Sequence, residues 1–308
     1  MIASIRRHLV SINDLDAADI EDLLASAAQL KRDRRPVPRP LDGRVAALIF
    51  EKPSLRTRVS FDVAMYELGG HAVYLSPAEV GLGRRESVAD VARVVSRYSD
   101  IIVLRTFAHE TIEEFARYAT VPVVNGLSDL EHPCQALSDL LTLAEAKGTL
   151  RNLTLAYVGD GNNVANALVL CAAKTGLRLR IGCPEGFEPD PRYLARAREE
   201  EADLILHHDA RRAVEGADAI YTDVWTSMGQ EAEYERRRRA FHGFQVNAEL
   251  LSVARPDAIV LHDLPAHRGE EITDEVMDSP ASLVFEQAEN RLHMQKAILV
   301  ALLGRMNG

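Results

Sequence analysis

Short apolar runs alternate with amphipathic segments along most of the chain. The apolar runs predict buried β-strands, and the amphipathic segments, with apolar residues three or four positions apart, predict helices. The predicted strands are Arg44–Phe50, His71–Leu75, Asp100–Arg105, Val121–Val124, Leu153–Val158, Leu177–Ile181, Leu204–His208, Ala219–Asp223 and Ala258–His262. The predicted helices are Ala17–Lys31 behind Asp14 as a cap, Ser87–Tyr98, Thr111–Tyr118, Pro133–Lys147 and Phe285–Leu303. Such alternation is typical of α/β proteins with parallel sheets.

The helix after the fourth predicted strand separates two such series. We therefore expect two α/β domains, each a parallel β-sheet flanked by helices, at residues 1–148 and 149–284. The last helix, in residues 285–308, is expected to pack back on the first domain. A ligand site is expected in the interdomain cleft, where open α/β sheets present the carboxyl ends of their strands.

Composition excludes several classes of protein. The 308 residues are 47% hydrophobic, which suffices for two cores, and the net charge of −10 argues against general nucleic-acid binding. The cysteines Cys134, Cys171 and Cys183 are too far apart for a CxxC metal or redox motif. The run Arg236–Arg239, flanked by glutamates, is interpreted as a solvated, salt-bridged helix face.

The first fifteen residues mix charged with apolar side chains and lack the apolar centre of a secretory signal. No apolar run is long enough to span a bilayer. We therefore expect a cytoplasmic protein.

The segment Phe50–Phe61 carries the clearest candidate chemistry. It predicts the end of a strand, a turn, and a helix that begins after Ser54 as its N-cap. Free backbone N–H groups, hydroxyl groups and the guanidinium groups of Arg56 and Arg58 then meet at the positive end of the helix dipole. This combination predicts an anion site suited to phosphate.

Several further motifs stand in a fixed order along almost the whole chain, and together they resemble the carbamoyltransferases, specifically the ornithine carbamoyltransferases. Each motif alone is weak, but the ordered set is specific. The motifs are Ser54-Leu55-Arg56-Thr57-Arg58, His132-Pro133-Cys134-Gln135, Gly159-Asp160-Gly161-Asn162-Asn163, Asp223-Val224-Trp225-Thr226-Ser227-Met228-Gly229, His262-Asp263-Leu264-Pro265-Ala266 with Arg268-Gly269-Glu270, and Glu289-Asn290-Arg291.

The resemblance implies transfer of the carbamoyl group of carbamoyl phosphate to the δ-amine of L-ornithine, giving citrulline and phosphate, with no cofactor and no metal. It implies that His132 and Arg105 donate to the carbonyl oxygen, that Gln135 holds the carbamoyl amino group, and that Arg291 adds positive charge. Carbamoyl phosphate would be bound by Ser54, Leu55, Arg56, Thr57, Arg105, His132, Gln135, Leu264 and Arg291. Ornithine would be bound by Asn163, Asp223, Ser227, Met228, Asp263 and Leu264. The resemblance also implies a homotrimer or a multiple of trimers.

The chain departs from the usual family pattern at Leu55, at Gly81 and at Asp263. Leu55 keeps the backbone donor, whereas Gly81 lacks the side chain that many members offer to a neighbouring subunit. Asp263 stands where ornithine carbamoyltransferases usually carry cysteine, and we count it among the catalytic candidates. Facing the phosphate from about 4 Å, its carboxylate would cost roughly 4 kcal/mol at an effective dielectric constant near 20. Facing the δ-ammonium it would attract the substrate, and a rotated loop would turn it to solvent.

Other functions stay open at this point. Asp263 leaves room for a carbamoyltransferase acting on a different amine, such as acetylornithine, putrescine or aspartate, or for a non-catalytic member of the family. A dinucleotide-binding dehydrogenase is disfavoured, because the glycine fingerprint at Gly159 lacks its third glycine and the next predicted strand lacks a following acid.

Overall fold

The computed structural model describes residues 7–34, 39–83, 85–227 and 229–304. In these residues the strands are β1 (Val45–Phe50), β2 (His71–Leu75), β3 (Ile101–Arg105), β4 (Val123–Leu127), β5 (Thr154–Val158), β6 (Arg178–Gly182), β7 (Leu204–His207), β8 (Ala219–Thr222) and β9 (Ile259–His262). The helices are α1 (Ala17–Arg32), α2 (Leu55–Glu67), α3 (Pro77–Val80), α4 (Val88–Val95), α5 (His109–Tyr118), α6 (Pro133–Lys147), α7 (Asn163–Thr175), α8 (Pro191–Glu199), α9 (Ala210–Val214), α10 (Tyr234–Ala240), α11 (Ala248–Leu251), α12 (Asp274–Met277) and α13 (Val284–Leu303).

The chain divides into two compact units. Unit 1 comprises Met1–Leu141 and Glu289–Gly308, and unit 2 comprises Thr142–Ala288. The chain passes from one unit to the other inside α6 and again inside α13. The α/β fold class predicted from the alternating pattern is confirmed, since each unit contains a parallel sheet accompanied by helices.

Unit 1 contains a four-stranded sheet in the order β2-β1-β3-β4, with every neighbouring pair parallel. Side chains of these strands and of α4 and α5 form a shared apolar core that includes Ile49, Ile102, Leu104 and Phe115. The strand order reverses between β1 and β3. Crevices at such reversals, outside the carboxyl ends of the strands, are where open parallel sheets bind ligands.

Unit 2 contains a five-stranded sheet in the order β7-β6-β5-β8-β9, again with parallel pairs throughout. The order reverses between β5 and β8, where Val158 pairs with Thr222, and Thr222 pairs in turn with His262 on β9. The three loops that follow these strands therefore start side by side. An aromatic cluster of Phe187, Trp225, Phe241 and Phe244 forms part of the core of this unit.

Two sequence-based expectations about helices are wrong. The cap of α1 is Asp16, which forms a reciprocal capping box with Asp19, because Asp14 already accepts from the backbone N–H groups of Val10 and Ser11. In the arginine run, Arg237 is buried rather than solvated, and its Nη1 lies 2.7 Å from Asp160 Oδ2. Its guanidinium also lies over the ring of Phe187, which the charge pattern alone could not reveal. In the described part of the chain, every helix is too short or too polar to cross a membrane.

Candidate active site

The residues of the predicted anion site begin at the carboxyl ends of two adjacent strands. Phe50, the last residue of β1, pairs with Arg105, the last residue of β3. The backbone N–H of Glu51 donates to the carbonyl oxygen of Arg105 at 2.7 Å, which holds the start of the next loop against this strand end. Arg105 is buried, so its guanidinium is set by the sheet rather than free to move in solvent.

The start of α2 joins this strand edge. Ser54 caps the helix, and its hydroxyl oxygen accepts from the backbone N–H of Thr57 at 3.2 Å, as the sequence predicted. The Nη2 group of Arg291, on α13, donates to the hydroxyl of Thr57 at 2.6 Å, and both side chains are buried. A residue 234 positions later in the chain thus places a guanidinium at the positive end of this helix.

His132 lies directly before α6, and its carbonyl oxygen accepts from the backbone N–H groups of Gln135 and Ala136, both at 3.1 Å. The side chain is 2% exposed. Burial, and then the positive charges of Arg291, Arg105 and Arg56, lower the pKa of His132 well below its ordinary value. At neutral pH the imidazole is therefore uncharged and carries one N–H donor.

Gln135 lies in the first turn of α6 and is fully buried. Its amide nitrogen donates to Oδ1 of Asp139, one turn further along, at 2.8 Å. Its carbonyl oxygen and Nδ1 of His132 have no hydrogen-bond partner among the described residues. Buried polar atoms are rarely left in this state, so both atoms suit a bound ligand.

In unit 2 the loop after β5 passes close to another segment of backbone. A Cβ atom on Gly161 would lie 2.2 Å from the backbone of Glu188, so only glycine fits at this position. The loop ends at Asn162, which caps α7 by accepting from the backbone N–H groups of Val164 and Ala165. The amide nitrogen of the same Asn162 donates to Asp223 at 2.7 Å.

Asp223 and Asp263 lie side by side because they follow the paired residues Thr222 and His262. The ligand atoms of Asp223, His262 and Asp263 all lie within 4.8 Å of one another. Burial, and then the charge of Asp263, raise the pKa of Asp223 well above its usual range. This arrangement could hold a metal cation, and it suits an ammonium group equally well.

His262 lies between carboxylates. Its Nε2 is 3.0 Å from Glu271 Oε1, and its Nδ1 is 3.4 Å from Asp263 Oδ1. Burial lowers its pKa, but the hydrogen bonds of Asp263 and Glu271 outweigh burial and raise the pKa of His262 to about 10. The backbone N–H of Leu264 donates to Nδ1 at 2.9 Å.

The predicted site residues fall into two groups by unit. Unit 1 holds Ser54, Leu55, Arg56, Thr57, Arg105, His132, Gln135 and Arg291, and unit 2 holds Asn163, Asp223, Ser227, Asp263 and Leu264. Met228 lies outside the described residues. The side chain of Asp263 is only 14% exposed and lies beside His262, which argues against the alternative in which a rotated loop turns it to solvent.

Sequence reasoning missed three residues of these surroundings. Asn162 contacts Asp223, and its position before a helix was a readable N-cap signal. Asp139 lies four residues after Gln135, a spacing that puts both side chains on one helix face. Glu271 carried no such signal, because its contact with His262 depends on a loop that returns to the sheet.

Two family models match successive parts of the chain. The family model described as "Aspartate/ornithine carbamoyltransferase, carbamoyl-P binding domain" matches residues 7–145. The model described as "Aspartate/ornithine carbamoyltransferase, Asp/Orn binding domain" matches residues 151–302.

Individual relatives match over nearly the full length. The chain is 54% identical over 301 residues to an ornithine carbamoyltransferase of Archaeoglobus fulgidus, covering 97% of this chain and 98% of that protein. A solved structure of the ornithine carbamoyltransferase of Pyrococcus furiosus is 50% identical, with a TM-score of 0.95 and 99% of each chain covered. The anabolic ornithine carbamoyltransferase of Campylobacter jejuni is 38% identical, with a TM-score of 0.92 over 96% of this chain and 99% of that one.

Proposed function

Because this chain belongs to the aspartate/ornithine carbamoyltransferase family, we propose that its two units each hold one substrate of the carbamoyl transfer that it catalyses. The chain is an enzyme that transfers the carbamoyl group of carbamoyl phosphate to ornithine, giving citrulline and phosphate. We assign carbamoyl phosphate to unit 1 and ornithine to unit 2. The direction is toward citrulline, as in arginine biosynthesis, in line with relatives named anabolic.

One observation carries the assignment of unit 1. A buried, uncharged imidazole, His132, lies within electrostatic reach of Arg56, Arg105 and Arg291. Arg56 itself lies in the first turn of α2, which Ser54 caps. The guanidinium groups, the hydroxyls of Ser54 and Thr57 and the backbone N–H of Leu55 suit the phosphate dianion. The imidazole N–H suits the carbonyl oxygen of the carbamoyl group.

In the reaction the δ-ammonium of ornithine first gives up one proton, and the resulting amine attacks the carbamoyl carbon. A C–N bond forms and the bond from this carbon to the phosphate oxygen breaks. The second proton that the nitrogen loses leaves with the departing phosphate. Negative charge grows on the carbonyl oxygen during the attack. In the proposed site the donors of His132, Arg105 and Arg291 would stabilise that charge, and donors positioned in advance lower such barriers most. Gln135 holds the carbamoyl amino group.

We assign the α-ammonium of ornithine to Asp223, with Asn163, Ser227 and Met228 completing the grip on its amino-acid head group. Asp223 has the chemistry for this, since Asn162 and the backbone N–H of Val224 hold its two oxygens, each at 2.7 Å. A cation bound there would also relieve the repulsion between Asp223 and Asp263. The carbonyl oxygen of Leu264 would accept a hydrogen bond from the carbamoyl amino group or from the attacking nitrogen.

We propose that Asp263 takes the proton from the δ-ammonium. It belongs to unit 2 with the proposed ornithine residues, and Nδ1 of His262, whose Nε2 contacts Glu271, lies 3.4 Å from Oδ1 of Asp263. A carboxylate oxygen of Asp263 lies within 4.8 Å of one of Asp223, so a bound ornithine would meet both acids. A second candidate function is carbamoyl transfer to a different amine. It rests on the same residue, because Asp263 stands where the family usually has cysteine.

We propose a homotrimer, or a multiple of trimers, in the cytoplasm. In the isolated chain, several large apolar side chains of α2 are exposed to solvent, including Leu55 at 75% and Tyr66 at 79%. A group of exposed apolar side chains on one helix is typical of an interaction surface, and this supports the proposal that α2 packs against another subunit.

The test compares two arginines of the same helix. Arg56→Ala should abolish citrulline formation from carbamoyl phosphate and ornithine, because it removes a phosphate ligand. Arg58→Ala is the matched control, since this guanidinium stacks on the ring of Tyr74 at 3.9 Å instead. Equal rates for the wild type and Arg56→Ala would overturn the assignment of the phosphate site.

A further inference from the structure

Asp139 gives the amide of Gln135 a single orientation. The two residues lie four positions apart on α6, are fully buried, and are joined by a hydrogen bond of 2.8 Å from Nε2 to Oδ1. A carboxylate can only accept hydrogen bonds, so the amide must turn its NH₂ group toward Asp139. The carbonyl oxygen of Gln135 is therefore the end directed away from Asp139.

This carbonyl oxygen is buried and has no hydrogen-bond partner in the described ranges of the chain. It lies in the turn that follows His132, whose carbonyl oxygen accepts from the backbone N–H of Gln135. Nδ1 of the same histidine also lacks a partner among those residues. A ligand that offers an N–H group next to a carbonyl oxygen would match both side chains.

We propose that Asp139 is a positioning residue that fixes Gln135 as a hydrogen-bond acceptor and so makes unit 1 select acyl phosphates that carry an N–H group. The inference rests on the proposed function, in which Gln135 faces the carbamoyl amino group. Carbamoyl phosphate satisfies the buried oxygen, whereas acetyl phosphate, of nearly the same shape, presents a methyl group to it. Sites built around a hydrogen bond reject analogues that lack the partner more strongly than apolar pockets reject a change in size.

The test uses two stable, unreactive ligands that differ only in this group. Phosphonoacetamide carries the amide NH₂, and 2-oxopropylphosphonate carries a methyl group in its place. Titration calorimetry on the full chain gives a Kd for each ligand. The wild type should prefer phosphonoacetamide by about 5- to 100-fold, the range for one hydrogen bond to a buried acceptor.

In Asp139→Asn the two Kd values should differ by no more than about 3-fold. An asparagine can either donate or accept a hydrogen bond, so the amide of Gln135 is free to turn. The Kd of 2-oxopropylphosphonate should change little. In a Gln135→Met protein the preference should already be lost, and adding Asp139→Asn should change it no further. Ser138→Ala is the matched control, since it removes a buried hydroxyl that donates to the carbonyl oxygen of Cys134 on the same helix.

A preference kept in Asp139→Asn would overturn the inference, and so would equal weakening of both ligands, which would indicate a general structural role. If that variant does not fold, Asp139→Ser provides the same comparison, because its hydroxyl can also donate and accept. These titrations do not depend on turnover. Absence of citrulline formation in the wild type would therefore contradict the proposed function separately.

Discussion

Replacing Thr57 with valine tests the link between α2 and α13. Valine keeps the branched shape of threonine and removes only the hydroxyl that accepts from Arg291 Nη2 at 2.6 Å. Thr57 is fully buried and Arg291 is 3% exposed, so water cannot readily replace the lost acceptor. The substitution therefore leaves a buried cationic donor without this partner.

The expected cost follows from the charge on the donor. Hydrogen bonds to charged groups contribute roughly 1.5–3 kcal/mol, about twice the value for neutral pairs. In a unit of this size, 1 kcal/mol moves the thermal midpoint by roughly 2–4 °C, so the midpoint should fall by roughly 3–12 °C. In the proposed site the same hydroxyl binds the phosphate, so the KM for carbamoyl phosphate should rise by about 10-fold.

The assay is thermal unfolding followed by circular dichroism, together with initial rates of citrulline formation at varied carbamoyl phosphate. Ser60→Ala is the control, because it removes a hydroxyl from the same helix that makes only a long contact, 3.3 Å, to the carbonyl oxygen of Thr57. Thr57→Val with the midpoint and KM of the wild type would refute the reasoning that this hydroxyl joins the two helices at the phosphate.

Three further predictions concern the reacting groups. His132→Ala should lower kcat by about 10²–10³-fold with little change in phosphate affinity, and an unchanged kcat would show that His132 acts only in ground-state binding. Asp223→Asn should raise the KM for ornithine sharply while the KM for carbamoyl phosphate stays constant; a rise in both would contradict its assignment to the amine. In the wild type, kcat/KM for ornithine should rise as pH increases through the elevated pKa of Asp223, because only the carboxylate binds the ammonium. Asp263→Asn removes the charge that helps to raise this pKa, so the rise should move to lower pH, and identical profiles would refute the coupling of the two acids.

Local sequence signals predicted many of the strands and helices. The apolar runs ending at Phe50 and Arg105 predicted the two strands beside the proposed phosphate site, and Ser54 predicted the start of the helix that follows the first of them. These features depend on neighbours in sequence, namely burial, capping and the helix dipole. They could be read without knowledge of the rest of the fold.

Features that depend on distant parts of the chain could not be derived in this way. The contact of Arg291 with Thr57 spans 234 positions, and only the family resemblance suggested that Arg291 belonged to the site. The orientation of Asp263 depends on the register of β8 against β9, which no local pattern specifies. Arg237 was misjudged for the same reason, since its partner Asp160 comes from another loop.

The most direct test of the central claim measures product formation from carbamoyl phosphate with a panel of amines. The panel contains ornithine, acetylornithine, putrescine and aspartate, and both the ureido product and phosphate are quantified. The account predicts that ornithine has the highest kcat/KM and that citrulline and phosphate form in equal amounts. A higher kcat/KM for putrescine or acetylornithine would contradict it, because neither presents the free α-amino acid head group that Asp223 is proposed to bind.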